Sequence, residues 1–254
     1  MSRQLGDITI YYYSGTIDEK IFNGIQNMVS DLYIEFLRGY KPPKTSRITI
    51  SISKEDYVGN YYGSILSASA VFDADTFWLL KENQQFRVIL ETIHRIALLC
   101  ADKYGWDKEV FIKAYDEVLA VDFKYEIEGK SKLSNDRQHK ASVLVEKDVK
   151  CAIISVVFYD KQDDRIKKVE LLKSFQHQIF YGGIIKRYKW FSNREFGIYT
   201  KDEEIILKAS LDNDIPIKII HPKTKDKEAL EGELRRITYK EINTKEDLIK
   251  WANQ

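Results

Sequence analysis

The stretch ENQQFRVILETIHRIALLCADKY, residues Glu82–Tyr104, decides how this chain is interpreted. Between Val88 and Ala101 it is apolar on nearly every side, and a helix that is apolar all round is normally buried at the centre of a domain. Its apolar residues form one stripe at helical spacing: Phe86, Leu90, Ile93, Ala97, Cys100 and Tyr104. We therefore expect a central, buried helix here.

Two polar residues on this helix need an explanation, because charged groups are rarely placed on an apolar helix without a partner. Glu91 and His94 lie three residues apart, so both project to the same side of the helix, at the edge of the stripe. The simplest interpretation is structural: they hydrogen-bond each other, Arg87, Arg95 or a neighbouring tyrosine, as buried polar groups must. The alternative is that they belong to a functional site.

Around the central helix, the N-terminal half alternates between strand and helix patterns. A capping-box pair, Thr16 and Glu19, starts an amphipathic helix that runs to about Leu37. Gly105 should end the central helix, and Asp107 should cap a following helix over 108–120, with Trp106 and Phe111 as a hydrophobic staple. The predicted extended segments are Asp7–Ser14, Arg47–Ser53, Ile65–Phe72 and Thr76–Leu80, with a turn-rich, tyrosine-rich connection at Tyr57–Gly63.

The C-terminal half has a different pattern. A polar stretch, 128–141, predicts a linker or long loop. Strand-like segments then recur at intervals of roughly ten residues, which favours antiparallel pairing. They are Ser142–Glu146, Cys151–Tyr159, Lys167–Leu172, Ile179–Tyr188, Glu195–Thr200, Glu204–Lys208, Pro216–Ile220 and Glu233–Tyr239. Thr244 should cap a short final helix that ends near Trp251.

These patterns together predict an α+β protein. An N-terminal mixed sheet with a central buried helix is followed by a C-terminal antiparallel β-rich half. The expected organisation is an α+β domain over 1–127, the linker or long loop over 128–141, and a β-rich domain with its short helix over 142–254.

Composition and compartment point to an ordinary soluble protein. The 254 residues are 44% hydrophobic and 31% charged, with a net charge of +1, which gives no basic footprint of a dedicated nucleic-acid binder. No apolar run approaches the roughly 20 residues of a membrane span, and the N-terminus has no signal-peptide pattern. Cys100 and Cys151 are expected to be buried free thiols in a reducing compartment. We therefore expect a cytoplasmic protein without a membrane partner.

The order of strand, helix, strand, two further strands and a buried helix resembles the N-terminal lobe of zincin metallopeptidases. The resemblance covers roughly residues 7–120. In that family the last helix carries H-E-x-x-H, in which two histidines bind zinc and the glutamate activates the metal-bound water. The corresponding residues here are Leu90-Glu91-Thr92-Ile93-His94.

The departure from that motif is in the first ligand. Leu90 has no lone pair to donate, and one histidine with one glutamate is too sparse for a tetrahedral zinc site. The resemblance therefore implies a zincin-like pseudoenzyme with no metal, no cofactor and no catalytic residue. If the protein is nevertheless a metal-dependent hydrolase, its catalytic and metal-binding residues would be Glu91 and His94, with an unusual ligand set.

Two further stretches have the composition of a binding surface. The first is the tyrosine-rich connection with Tyr57, Tyr61 and Tyr62, because tyrosine provides large contact area at low entropic cost. The second is the run Lys186–Phe191, whose basic and aromatic residues alternate as in proteins that bind single-stranded nucleic acid. Its residues are Lys186, Arg187, Tyr188, Lys189, Trp190 and Phe191. The same pattern also fits a strand with one solvated basic face.

No complete catalytic constellation is present in the sequence. We therefore predict a non-enzymatic protein that binds another protein, through the β-rich half or the cleft between the halves. An immunity or antitoxin-type protein would be one concrete form. The alternatives are a metal-dependent hydrolase around Glu91 and His94, and a nucleic-acid binder that uses Lys186–Phe191.

Overall fold

The computed structural model describes residues 4–13, 17–177 and 180–239. Within these residues it contains five helices and 13 strands in three sheets. The N-terminal sheet is mixed and the two C-terminal sheets are antiparallel, so the predicted α+β class is confirmed. The predicted capping residue Thr16 and the predicted helix from Thr244 to Trp251 lie outside the described residues. No helix in the described part is long and apolar enough to cross a membrane.

The chain divides into two compact units, 1–125 and 126–254. The stretch 128–141, predicted as a linker or long loop, contains regular structure. A short strand at Lys132–Leu133 pairs with the start of the strand Lys140–Lys147. The connecting turn closes through the amide of Ser134, which donates to the carbonyl of His139 at 2.9 Å.

The first unit is one sheet covered by helices. Its elements are β1 (Ile8–Tyr11), α1 (Ile17–Phe36), β2 (Arg47–Ser53), β3 (Tyr57–Tyr62), β4 (Ile65–Val71), α2 (Ala74–Leu79), α3 (Glu82–Tyr104) and α4 (Lys108–Ala120). Strands β1, β2 and β4 run parallel, and β3 joins β4 antiparallel at the edge, in the order β1-β2-β4-β3.

Alternation along the strands decides which face of this sheet is buried. Successive side chains of a strand point to opposite faces, and here Ile8, Ile10, Ile48 and Ile50 are fully buried while the residues between them are not. Helices α1, α3 and α4 pack on one another as a second layer. The predicted stripe of α3 is confirmed as core from Phe86 to Cys100.

The ends of α3 and α4 also form as predicted. Gly105 adopts the left-handed conformation, with a φ of 66°, that lets a helix end without a Cβ clash. The side chain of Asp107 accepts a hydrogen bond from the amide of Glu109 at 3.0 Å and caps α4. The rings of Trp106 and Phe111 stack with centroids 6.2 Å apart, as a staple requires.

Both edges of this sheet are closed by side chains from helices. On β1, the amide of Ile10 donates to Gln26 Oε1 at 3.1 Å, and Ser30 donates to the carbonyl of Ile8. On β3, Lys103 Nζ donates to the carbonyl of Val58 at 2.6 Å. Open strand edges invite pairing with other chains, so these contacts remove edge groups that another strand would use.

One predicted strand in the first unit is wrong. The sequence predicts an extended segment at 76–80, but residues 76–79 belong to α2. Asp73 begins this helix by accepting a hydrogen bond from the amide of Thr76 at 3.1 Å, as an N-cap does. Phe77 is the buried residue of the helix. The N-cap therefore outweighs the aromatic, strand-like composition of this short segment.

The tyrosine-rich connection also differs from its prediction, because Tyr57–Tyr62 is the edge strand β3. Its pairing with β4 is interrupted by a bulge between Val58 and Tyr61. Gly59 lies inside this bulge, where an added Cβ would come within 2.5 Å of Ser67 Oγ. In the sequence Gly59 resembles a turn residue. In the structure it lies inside the sheet, at a position that leaves little room for a larger side chain.

The second unit contains two antiparallel sheets and one helix. The elements are β5 (Tyr125–Glu128), β6 (Lys132–Leu133), β7 (Lys140–Lys147), β8 (Cys151–Tyr159), β9 (Arg165–Phe175), β10 (Tyr188–Trp190), β11 (Glu195–Tyr199), β12 (Ile205–Ser210), β13 (Ile217–Ile220) and α5 (Lys227–Ile237). One sheet has the order β5-β7-β8-β9, with β6 beside β7, and the other has the order β10-β11-β12-β13. Strand β12 packs on β9, and β11 packs on β7.

Two predicted strands of this unit are wrong. Within the predicted strand at 179–188, residues 180–186 form turns, and β10 begins only at Tyr188. Most of the predicted strand at 233–239 is the C-terminal part of α5. Asp226 caps that helix by accepting from the amide of Ala229 at 2.7 Å. Leu230 and Leu234 are buried at helical spacing.

Candidate functional site

The imidazole of His94 lies between three helices and is half-buried. Its Nδ1 atom is 3.0 Å from the hydroxyl oxygen of Tyr33 on α1, and its ring lies 4.5 Å from the ring of Tyr115 on α4. The hydroxyl of Tyr33 also donates to the carbonyl of Phe111 at 3.3 Å. His94 therefore connects α3 to both of the helices that pack against it.

This environment determines the charge of the cluster. Burial lowers the pKa of His94, and the nearby carboxylate of Asp116 opposes that shift, as expected for desolvation and for an opposite charge. Burial raises the pKa of the Tyr33 hydroxyl. At neutral pH the cluster is therefore composed of a neutral imidazole and a neutral phenol.

Glu91 does not join this cluster. Its side chain is exposed and lines a cavity of about 160 Å³ together with Arg95 and residues that follow β4. Leu90, which occupies the position of the first zincin histidine, is fully buried in the core. In residues 4–13, 17–177 and 180–239, no group of three or more His, Cys, Asp or Glu side chains is arranged to hold a metal ion.

Arg95 is a polar residue of α3 with a clear structural contact. Its guanidinium donates to Asp56 Oδ2 at 2.6 Å and to the carbonyl of Val71 at 2.9 Å. Asp56 in turn accepts from the amide of Val71 at 2.8 Å. This network ties the middle of α3 to the end of β4. The sequence offers only one signal for it, an arginine within an apolar run.

The tyrosines of β3 fall into two groups. Tyr57 and Tyr62 are 57% and 73% exposed, which is high for aromatic side chains on a strand. Tyr61 is held in place, because its hydroxyl is 2.7 Å from Thr45 Oγ1 and its ring lies 5.1 Å from that of Tyr104. The strand thus presents two exposed rings beside a fixed one.

Exposed lysines lie over two of the three rings, those of Tyr57 and Tyr61. Lys44 Nζ is 4.6 Å from the ring centre of Tyr61, and Lys103 Nζ is 5.4 Å from that of Tyr57. Both distances fall in the range of cation–π contacts. Neither ammonium group has a carboxylate partner in the described part of the chain. We name this set the Tyr–Lys surface: Lys44, Tyr57, Tyr61, Tyr62, Lys103 and Tyr104.

Of the residues in the Tyr–Lys surface, only the three tyrosines of β3 are predicted from the sequence. Lys103 and Tyr104 are visible as the last residues of a predicted helix, but nothing in the sequence places that helix end against β3. Lys44 follows a proline pair and has a left-handed backbone, with a φ of 62°. That conformation is uncommon for a residue other than glycine. Lys44 also lies outside the helices and strands, so no periodic pattern predicts where its side chain points.

The second predicted surface, Lys186–Phe191, is largely used inside the second unit. Lys189 pairs with Glu203 at 2.5 Å. The rings of Tyr188 and Trp190 lie 5.8 and 5.3 Å from that of Phe196, and the indole nitrogen of Trp190 donates to the carbonyl of Lys132. Lys186 is exposed and Arg187 is half-buried. Few rings remain available for bases to stack on.

A buried carboxylate in the second unit organises the loop before α5. Glu204 Oε1 accepts hydrogen bonds from the amides of Thr224 at 2.6 Å, Lys223 at 2.9 Å and Lys225 at 3.1 Å. These amides, led by that of Thr224, lower the pKa of Glu204 to about 2, because they stabilise the ionised form. The loop amides form an anion-binding nest, and in this chain the anion is the protein's own glutamate.

Comparison with known proteins adds no relative. No family model matches the chain, and neither a curated protein nor a solved structure matches it.

Proposed function

We propose that this chain is a non-enzymatic protein-binding protein and that the Tyr–Lys surface contacts its partner. The observation that carries the proposal is the exposure of Tyr57 and Tyr62 on β3, with lysines over the rings of Tyr57 and Tyr61 that have no carboxylate partner in the described residues. Tyrosine is enriched among the residues that dominate binding energy at protein interfaces. The two lysines favour a partner surface that carries carboxylates.

Part of this surface is held in place before any partner binds. Lys103 Nζ is fixed by the carbonyls of Val58 and Gly59, and the hydroxyl of Tyr104 also donates to Gly59 at 3.3 Å. Tyr61 is fixed by Thr45. Side chains that are already ordered lose less entropy on binding, which increases affinity at a given contact area.

The mode of binding follows from the closed edges of the first sheet. Partner strands often add to an exposed sheet edge through backbone hydrogen bonds. Here side chains already bond backbone groups of β1 and of β3. We therefore propose recognition through side chains, with the rings of Tyr57 and Tyr62 as the contact area.

The narrower predictions remain proposals. A zincin-like origin would make Leu90-Glu91-Thr92-Ile93-His94 the remnant of a zinc motif, and an immunity or antitoxin role would give the partner the identity of a toxin. The side chain of His94 contacts Tyr33, whereas that of Glu91 lines the cavity at the end of β4. Because the two side chains have different surroundings, a structural role for His94 is favoured over a catalytic role shared by the pair.

The proposal is tested by affinity capture from cells that naturally produce the protein, with three forms as bait. The wild type, a Tyr57→Ala/Tyr62→Ala variant and a Tyr13→Ala control would be compared by quantitative mass spectrometry. Tyr13 is 78% exposed and lies outside the Tyr–Lys surface. We expect one protein to be recovered by the wild type and the control, and to be reduced at least roughly tenfold by the double variant, as for loss of a binding hot spot.

Equal recovery by all three forms would contradict the proposal. The hydrolase alternative is separated by His94→Ala. A catalytic histidine predicts loss of activity with an almost unchanged melting temperature. The contacts of His94 with Tyr33 and Tyr115 instead predict a lower melting temperature, as for other breaks in buried networks.

A further inference from the structure

The second unit contains an apolar groove that the proposed protein-binding surface does not use. Its cavity volume is about 540 Å³, and it is bounded by β9, β12, β13 and α5. The floor consists of Leu172, Leu207 and Leu234, which are almost completely buried. Sites for small ligands are typically concave, mostly apolar and roughly 300–1,000 Å³ in volume, and this groove has those properties.

The charged groups of the groove are mostly cationic. Lys173, Lys218 and Arg235 line it, and Glu170 is the one carboxylate among its described lining residues. Lys218 and Arg235 are exposed, and neither forms an ion pair within the described residues. Lys173 Nζ lies 5.4 Å from the ring centre of Tyr239 and has no carboxylate partner in that part of the chain. Among the described lining residues, the groove therefore combines an apolar floor with a net positive charge.

We infer that this groove binds a long-chain carboxylate, with the hydrocarbon chain along the leucine floor and the carboxylate at Lys218 and Arg235. Each methylene that leaves water on binding adds to the affinity, so the leucine floor favours an unbranched alkyl chain. A carboxylate at the rim would supply a negative partner that the two cations do not have within 180–239 or the other described residues. Arginine can hold it through two parallel hydrogen bonds.

The same features argue against other small ligands. Inorganic phosphate or acetate would use the cations but make no contact with the leucine floor. A neutral hydrocarbon would fill the floor but leave Lys218 and Arg235 unpaired. Only a ligand that has both parts uses the whole groove, so affinity should depend on both the chain and the charge.

The test is isothermal titration of the full chain with decanoate, acetate and decan-1-ol. We expect saturable binding of one decanoate per chain, no detectable binding of acetate, and binding of decan-1-ol at least tenfold weaker than that of decanoate. A Lys218→Ala/Arg235→Ala variant should bind decanoate at least tenfold more weakly. Lys201→Ala is the matched control, because Lys201 is an exposed lysine of the same unit that lies outside the groove, and it should not change the affinity.

A second titration tests the apolar floor. Octanoate and hexanoate should bind progressively more weakly than decanoate, because each shorter chain contacts less of the leucine floor. Absence of saturable decanoate binding to the folded wild type would overturn the inference. So would an unchanged affinity in the Lys218→Ala/Arg235→Ala variant. The Tyr57→Ala/Tyr62→Ala variant should bind decanoate normally, so the outcome is independent of the proposed partner surface.

Discussion

The Nδ1 atom of His94 and the hydroxyl oxygen of Tyr33 lie 3.0 Å apart, although the two residues are 61 positions apart in the sequence. Because the single hydroxyl proton of Tyr33 is directed to the carbonyl of Phe111, the hydrogen between His94 and Tyr33 belongs on Nδ1. The assignment follows from the hydrogen-bond network. It gives a relay from His94 through Tyr33 to Phe111 that joins α3, α1 and α4.

Replacing Tyr33 by phenylalanine should break this relay without changing the size of the core. The carbonyl of Phe111 would lose an additional donor and His94 Nδ1 would lose its acceptor. Loss of partners for buried polar groups costs roughly 1–3 kcal/mol. We expect the free energy of unfolding, measured by urea denaturation, to fall by about that amount. Tyr13→Phe, at a highly exposed position, should change it by less than about 0.5 kcal/mol.

The lowered pKa of His94 predicts a pH dependence with a definite sign. Below about pH 6.5, the ordinary pKa of histidine, the unfolded chain binds a proton at this residue more readily than the folded chain does. Stability should therefore decrease as pH falls through about 6.5 toward the lower folded pKa. Denaturation curves recorded on both sides of that pH would measure this.

The variant His94→Gln isolates the contribution of His94 to this pH dependence. Glutamine does not titrate, and the other histidines, His139, His177 and His221, are the same in both proteins. The difference in unfolding free energy between wild type and variant should become smaller as pH falls. A constant difference across the range would contradict a lowered pKa.

The helix α3 shows what the sequence contains about this fold. Its period, length, terminal glycine and buried stripe are local properties, and each is predictable from residues within one segment. The same holds for the long strands of the second unit, such as Cys151–Tyr159, whose predicted and observed bounds agree. The nearly continuous apolar run of Cys151–Tyr159 matches a strand that is buried on both faces.

The site residues are less accessible to prediction because their partners are distant in sequence. Glu91 and His94 share a side of the helix by spacing, yet α1 and α4 surround His94 while Glu91 faces the end of β4. Spacing on one helix cannot reveal which neighbouring element each residue meets. The short helix α2 escapes prediction because the cap at Asp73, and not its aromatic composition, decides its state. Helix α5 differs, because its helix-forming residues and the helical spacing of Leu230 and Leu234 are local signals that the predicted strand at 233–239 does not use.

The closed edge of β1 gives a third prediction. Gln26 and Ser30 are almost completely buried, and each bonds the backbone of β1 from the neighbouring helix. Gln26→Ala or Ser30→Ala should each lower the free energy of unfolding by roughly 1–3 kcal/mol, because a backbone group at the edge loses its partner. Lys20→Ala, an exposed position on the same helix, is the control.

The same variants report on association. An unsatisfied strand edge can pair with another chain, so Gln26→Ala should form oligomers more readily in sedimentation velocity runs at high protein concentration. A monodisperse variant with unchanged stability would show that the contacts with Gln26 are not needed to protect the edge.

Glu204 predicts an acid-sensitive component of stability. Its folded pKa, about 2, is below the ordinary value of 4.5. The stabilisation of the folded state by ionised Glu204 is therefore fully present above the ordinary pKa of 4.5, and it is lost as the pH falls toward the folded pKa of about 2. Glu204→Gln should reduce stability at neutral pH and flatten the acid-induced decline in the melting temperature. Glu203→Gln is a useful comparison, because that carboxylate pairs with one lysine, Lys189. If both variants lost the same stability with the same pH dependence, the hydrogen bonds from the loop amides to Glu204 would not be the cause of the acid-sensitive stability.

Two glycines of the second unit give opposite expectations for the same substitution. An alanine Cβ at Gly197, within β11, would lie 2.2 Å from the carbonyl oxygen of Leu207 and 2.5 Å from the Cα of Lys208. Both are backbone atoms of the adjacent strand β12, which cannot move aside without distorting the sheet. Gly197→Ala should therefore destabilise the protein by at least roughly 1–3 kcal/mol.

Gly232 lies within α5, and an added Cβ would meet no atom within 4 Å. Gly232→Ala should stabilise the protein by about 0.5–1 kcal/mol, because alanine has the higher helix propensity and restricts the unfolded chain. Both variants would be compared with the wild type by urea denaturation at the same pH. Equal effects at the two positions would mean that β11 and β12 do not approach as closely as the structure shows. A destabilising effect at Gly232 would instead count against the helical assignment of α5.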